Sequence, residues 1–388
     1  MPSVRSRSTV LVSPSRSSHR QARAAGMRIS MNQIMRLAVI VSLLGASQAC
    51  YGESYPGTTD ATSNTYGKLG PYTVLMSEVS DQGLLLVPHS AEATRSRKKW
   101  PGLVFAHGLC GPARSYSDTL ERLCSWGFVI IANQEQEDCG VMNIRQPLQS
   151  LGSHAKFQHC ADSMIMAGNI RKNLHYLASR SDVNPEALAL IGHSMGGGVS
   201  IDVAVSVNAD HADLVKAVIA IAPWNGAHPT PSSVVAQIDA PLLLFCSMTD
   251  SLCPCSGPAT ITDTQGPFTT PASIGIPMLF GPGADAHWNG GVDAIYKNAA
   301  TATLMKVDKA NHMTIAGTDG VQMQHLAYQS TKLYGLNFNN PDRPYTMIPT
   351  LEYSVAFLYD VLDIDRREGR KVMESARKDA RISEVRSK

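Results

Sequence analysis

Charge is scarce in this chain of 388 residues, and what there is nearly cancels. Charged side chains make up 17% and the formal net charge is +2. So small an excess offers no field for holding a nucleic acid or other polyanion, and no basic stripe marks a binding face. There is no CxxC pair, no His/Cys spacing of a metal site and no glycine loop of the phosphate-cradling kind, so neither a metal nor another cofactor is expected. No internal repeat is visible. Hydrophobic residues, in contrast, reach 44%. That proportion suits a globular protein with a sizeable core and excludes a disordered one.

A long apolar run is also lacking. Leu37 to Leu44 is apolar but too short to span a bilayer comfortably, so no stable membrane span is expected. The run follows Arg28 and Arg36 and ends in Gly45-Ala46-Ser47-Gln48-Ala49. A basic region, a short apolar stretch and small residues together read as a secretory signal, with cleavage near Ala49. Residues 1–36 hold seven Arg, eight Ser and no acidic residue, so the remainder is mildly acidic. This long leader leaves three readings open: a start at Met27, a start at Met31, or an organellar (plastid) presequence. The expected location is therefore outside the cytoplasm, secreted or periplasmic, with an organelle as the alternative. The eight cysteines are Cys50, Cys110, Cys124, Cys139, Cys160, Cys246, Cys253 and Cys255. An even number in an exported chain permits disulfides. Cys253 and Cys255 are too close to pair comfortably with each other. Connectivity is not readable from the spacing, and the alternative for Cys124 and Cys246 is that they are small buried apolar residues on a helix and a strand.

Short apolar strands alternate with helical segments. Strands are expected around Tyr72–Val87, at Leu103–Ala106, Phe128–Ala132, Ala187–Ile191, Leu214–Ile221, Pro241–Cys246 and Ala302–Val307. Helices are expected at Ser117–Trp126, Cys160–Leu177, Met195–Asn208 and Glu352–Leu362. Continuous apolar strands between helices imply an α/β fold: a mostly parallel, doubly wound sheet in one catalytic domain. The boundaries are a targeting segment over 1–49, an extended lead-in over 50–69 and the domain over 70–363. Residues 88–101 read as a polar loop, 256–300 as a Gly/Pro/Thr-rich insertion, and 364–388 as a charged tail.

One motif carries chemistry. Gly192-His193-Ser194-Met195-Gly196 follows an apolar strand and opens a helix, the context of a nucleophile elbow. The glycines permit a tight turn that larger residues would block. On this reading Ser194 is the nucleophile. Its partners should follow in the order acid, then His. Asp250 lies just beyond the strand Pro241–Cys246, whereas Asp202, Asp210 and Asp213 fall on or near a helix and Asp239 precedes the strand. His312 lies just after Ala302–Val307; His287 and His325 are the rivals. The oxyanion donors are placed at the backbone N–H groups of Leu109, after the strand Leu103–Ala106, and Met195. His107 reads as shaping that loop. The expected reaction is hydrolysis of a carboxylic ester through an acyl-enzyme.

These motifs resemble the polyester hydrolase and cutinase-like group of α/β-hydrolases, which includes polyethylene terephthalate hydrolases. The likeness runs from Gly70 to Leu362 through Gly70-Pro71-Tyr72-Thr73-Val74, Trp126-Gly127-Phe128-Val129, Gly192 to Gly198, Ala222-Pro223-Trp224 and Asp250-Ser251-Leu252-Cys253-Pro254. The resemblance implies that Trp224 and Leu252 line the ester-binding cleft. The alternative for Trp224 is an ordinary buried aromatic. The chain departs from that group in having Leu109 where an aromatic is usual and in the insertion 256–300. His107-Gly108 and Gly192-His193-Ser194 also resemble chlorophyllases and platelet-activating-factor acetylhydrolases. A small or polymeric ester substrate and a monomeric protein are expected. The reading from another class is a ligand-binding protein on a hydrolase scaffold.

Export predicts a mature chain that begins close to Cys50 and carries at least one disulfide. Intact-mass measurement before and after thiol alkylation tests both, and a chain that keeps residues 1–36 with every cysteine alkylatable would reject export.

Overall fold

The computed structural model describes residues 65–80, 82–97, 99–108, 113–133, 163–211, 213–223, 232–247, 249–250, 253–256, 291–308, 310, 312, 314–316 and 343–388. The chain divides into Met1–Ala61 and Thr62–Lys388, and every described residue lies in the second unit. The targeting segment and most of the extended lead-in therefore fall outside the described residues.

Among the described residues one nine-stranded sheet organises the unit. Its strands are β1 (Thr73–Val79), β2 (Gly83–His89), β3 (Trp100–Ala106), β4 (Val129–Ala132), β5 (Val183–His193), β6 (Val215–Ile221), β7 (Leu242–Cys246), β8 (Ala302–Val307) and β9 (Ile382–Ser387). Their order is β1-β2-β4-β3-β5-β6-β7-β8-β9. From β4 to β8 every neighbouring pair is parallel. The hairpin β1–β2 joins β4 antiparallel at one edge, and β9 joins β8 antiparallel at the other. β4 and β7 are buried along their whole length, as is β5 from Ala187 to His193. That is why these stretches read as continuous apolar runs: both faces of the sheet are covered.

The helices are α1 (Ala91–Ser96), α2 (Ser117–Ser125), α3 (Ser163–Ser179), α4 (Met195–Asp210), α5 (Ser232–Val235), α6 (Val292–Asn298), α7 (Arg343–Val361) and α8 (Arg366–Ser375). α2 buries Leu120, Leu123 and Cys124 at helical spacing, and an Asp118–Arg122 pair at 3.1 Å spans its outer turn. α3 packs on β3 and β5, and on α4. The chain visits β3, steps outward to β4, then returns past β3 to β5. This reversal is a topological switch point at the carboxyl ends of β3 and β5, the position at which open α/β sheets bind ligands.

Three expectations need correction. Residues 88–101 are not all loop. Ser90 accepts the N–H of Ala93 at 3.0 Å and so caps α1. The insertion 256–300 contains α6 near its end; residues 257–290 lie outside the described ones. The charged tail 364–388 is part of the domain. Asp365 accepts the N–H of Glu368 at 3.1 Å and starts α8, and β9 then completes the sheet. Alternating charges hid a strand because an edge strand needs only one apolar face.

That last segment is anchored by a buried ion pair. Arg381 and Glu352 are 3% and 0% exposed and meet at 3.0 Å. Asp379 receives Arg381 at 2.6 Å and the Tyr353 hydroxyl at 2.7 Å. Burial opposes the charge on Arg381, but the bonds to Asp379 and the charge of both carboxylates outweigh it and hold the guanidinium protonated. Removing one member strands Glu352 in the core. Arg381→Met should therefore cost about 3–5 kcal/mol. Urea unfolding reads this directly; a loss below about 1 kcal/mol would mean that the pair is not buried in solution.

Candidate active site

Ser194 sits between β5 and α4 with φ 55° and ψ −123°, a left-handed backbone for a residue with a Cβ. Such a conformation is strained and persists only where its surroundings dictate it. Here they do. The Ser194 N–H donates to the Ile221 carbonyl of β6 at 2.9 Å. A Cβ on Gly192 would lie 2.3 Å from the Gly196 carbonyl oxygen, and one on Gly196 would lie 2.2 Å from the Ala106 carbonyl oxygen of β3. The two glycines thus let α4 press against β5 and β3, which forces the turn and points Ser194 out of the sheet. Ser194 is 5% exposed.

The expected acid follows β7. Asp250 follows it by a short loop and is fully buried. Its Oδ1 accepts the Cys253 N–H at 2.9 Å. Cys246 and Cys255 form a disulfide that brackets this loop. Of the two readings open for Cys246, a disulfide partner or a small buried apolar residue, the structure has both: it is buried and paired. Cys255 reaches it because the loop doubles back, which spacing alone does not reveal. Cys124 and Cys253 are free and buried. Burial pushes the Cys253 thiol well up, as does the charge of Asp250, against a hydrogen bond with Ser194. It is held as an unreactive thiol.

His312, the expected base, follows β8. His312 Nδ1 lies 2.9 Å from Asp250 Oδ2, and its Nε2 lies 2.9 Å from Ser194 Oγ. With Asp250 ionised, Nδ1–H donates to the carboxylate, leaving Nε2 to accept from the Ser194 hydroxyl. The loops carrying Asp250 and His312 are tied directly by a hydrogen bond from the Thr249 hydroxyl to the Ala310 carbonyl. One further bond, from the Thr119 hydroxyl to the Ala316 carbonyl at 2.8 Å, fastens α2 to the turn beyond His312.

The rival acids lie elsewhere. Asp202 and Asp210 are on α4, Asp213 faces Lys216 at 3.9 Å, and Asp239 accepts from Asn208 at 2.9 Å. His107 is fully buried and its Nδ1–H donates to the Gly108 carbonyl at 2.8 Å, which shapes the loop. Met195 opens α4 and is 2% exposed, so its N–H stands at the positive end of a 16-residue helix while its side chain joins the core. Leu109, Trp224, Leu252, His287 and His325 lie outside the described residues. Two residues beside the site escaped the sequence reading. His193 was taken only as a motif position, and Tyr116 lies on a short turn with no pattern to single it out.

A parallel sheet switching direction at β3, with a strained Ser between β5 and its helix, defines an α/β-hydrolase. A chlorophyllase family model matches residues 70–246. That is an α/β-hydrolase-like family of esterases, and the match supports a carboxylic-ester hydrolase. It covers β1 to β7 and the turn at Ser194, and ends before Asp250. No curated protein matches the chain.

The disulfide brackets the buried Asp250, so Cys246→Ala/Cys255→Ala should cost about 2–3 kcal/mol through the freed loop. Turnover should fall as well, because Asp250 loses its fixed position. Thermal unfolding and ester turnover of the double variant test this; unchanged values in both would show that the bracket is idle.

Proposed function

We propose that the protein is a serine carboxylic-ester hydrolase, with Ser194 as nucleophile, His312 as general base and acid, and Asp250 as the group that orients and stabilises His312. The observation that carries this is the continuous hydrogen-bonded line from Ser194 to His312 to Asp250, with both links at 2.9 Å. It runs along the carboxyl ends of β5, β7 and β8, three strands far apart in sequence.

The chemistry follows from these roles. Ser194 Oγ attacks the ester carbonyl carbon as its proton passes to His312 Nε2. The tetrahedral intermediate collapses, the alcohol leaves with that proton, and an acyl-Ser194 remains. Water then attacks the acyl carbon, giving a proton to His312. Collapse releases the acid and restores Ser194. Asp250 stays ionised throughout and balances the imidazolium. The oxyanion is assigned to the N–H groups of Met195 and Leu109, the first of these backed by the dipole of α4.

Two observations bear on substrate. The match over 70–246 favours a chlorophyll-type ester, a large apolar molecule. The sequence likeness to polyester hydrolases favours an open apolar cleft around Trp224 and Leu252 that takes short- to medium-chain acyl groups. Each acyl methylene buried there adds about 0.8 kcal/mol until the cleft ends. The residues at Ile274–Phe280 are the apolar part of the insertion suited to cover a longer chain. Export and action as a monomer complete the proposal.

Ser194→Ala should abolish turnover, with a loss on the order of 10⁶, while the fold is retained. Asp250→Asn should lose about 10⁴, and His312→Ala should be as damaging as Ser194→Ala. p-Nitrophenyl esters of graded length, chlorophyll and a polyester film, assayed side by side, rank the substrates. A folded Ser194→Ala variant that keeps a few per cent of turnover would overturn the nucleophile. Tight binding of esters without turnover in the unaltered protein would instead favour a binding module.

A further inference from the structure

A second imidazole lies behind the base. His193, the residue before the nucleophile, is 1% exposed, and its ring sits 4.8 Å from that of His312, tilted by 39°. His193 Nε2 lies 2.8 Å from the His312 backbone carbonyl. A carbonyl only accepts, so Nε2 carries the proton and donates. In the neutral ring Nδ1 is then an acceptor, and the Tyr116 hydroxyl donates to it at 2.8 Å. The same hydroxyl oxygen accepts the Gly108 N–H at 3.0 Å. Every direction in this line is fixed by its two ends, a backbone N–H and a backbone carbonyl.

The line crosses the site. It starts in the loop after β3, at Gly108, passes through a fully buried Tyr and a fully buried His, and ends on the backbone of the base. The packing is as tight as the bonding: a Cβ on Gly108 would lie 3.1 Å from both His193 Nδ1 and the Tyr116 hydroxyl, and 3.2 Å from Ser194 Cβ. Burial, and then the nearby His312, push the His193 imidazole down to about 3, so it stays neutral and keeps one tautomer. The ring bonds of His312 point to Asp250 and Ser194. Its backbone carbonyl is held by the bond from His193.

We infer that His193 and Tyr116 are positioning residues for the ester hydrolysis: they lock the loop carrying His312 to the loop that opens at Gly108, so that base and nucleophile keep their reactive distance. The inference rests on the assignment of Ser194, His312 and Asp250 proposed above. Their hydrogen bonds run to the backbone of His312 and Gly108, and it is through these that both act.

The test is steady-state kinetics on a p-nitrophenyl ester, with kcat expressed per active site titrated by a fluorophosphonate. His193→Phe keeps the ring and removes both bonds. It should lower kcat on the order of tenfold to a hundredfold, the scale of a small misplacement, with KM within about twofold. His193→Gln can again donate to the carbonyl and accept from Tyr116, and should recover most of the loss. Tyr116→Phe deletes one oxygen and should lower kcat in the same way. The double variant Tyr116→Phe/His193→Phe should fall no further than the worse single change, because both break one line. Wild-type kcat per titrated site in His193→Phe and Tyr116→Phe overturns the inference, as does a Gln variant no better than Phe or losses that multiply in the double variant. If His193→Phe does not fold, Tyr116→Phe decides by itself. His312→Ala separates the two levels: turnover retained there defeats the triad assignment, whereas an inactive His312→Ala beside unaffected His193 and Tyr116 variants defeats the positioning role alone.

Discussion

The backbone of Ser194 is the constraint on which the site depends. A left-handed residue between a parallel strand and a helix is costly, on the order of 1–3 kcal/mol. It is held because β5 is paired on both sides, by β3 and β6, and because α4 approaches so closely that only glycine fits at 192 and 196. The strain fixes where the hydroxyl points. With Ser194 fixed, the carboxyl ends of β7 and β8 fall within reach, and the loops after them need only be short to bring Asp250 and His312 into line.

Electrostatics sets the second requirement. A fully buried carboxylate is tolerated only when its lone pairs are occupied. Asp250 meets this with the Cys253 N–H on one oxygen and the His312 ring on the other. The same bonds that make burial possible orient the imidazole, so folding and chemistry make one demand on these residues. The disulfide Cys246–Cys255 closes the loop of Asp250, and the Thr249–Ala310 bond holds that loop against the loop of His312. His193 and Tyr116 repeat the logic one layer further in, where polar groups without water must find partners in the protein.

Much of this was legible because it is periodic or local. Buried parallel strands are continuous apolar runs, so β3 to β8 stood out in the sequence. A strained turn demands glycine at fixed offsets, so Ser194 stood out as well. Asp250 and His312 could be singled out because each lies just past a core strand, and the fold brings both into one hydrogen-bonded line with Ser194. The end of the chain was misread because β9 and α8 each bury a narrow face, and charge dominates their composition. Arg381 and Glu352 are 29 residues apart, and nothing in either local pattern announces their pairing.

By itself, then, the sequence determined the core strands β3 to β8 and the glycine-flanked turn at Ser194, since each depends on local stereochemistry or on strand succession. Which cysteine bonds which, how the last segment joins the sheet, and the line from Gly108 through Tyr116 and His193 to His312 were decided only in three dimensions. These are contacts between loops from separate strands, and their partners are chosen by distance after the core has packed. No spacing rule along the chain encodes that distance.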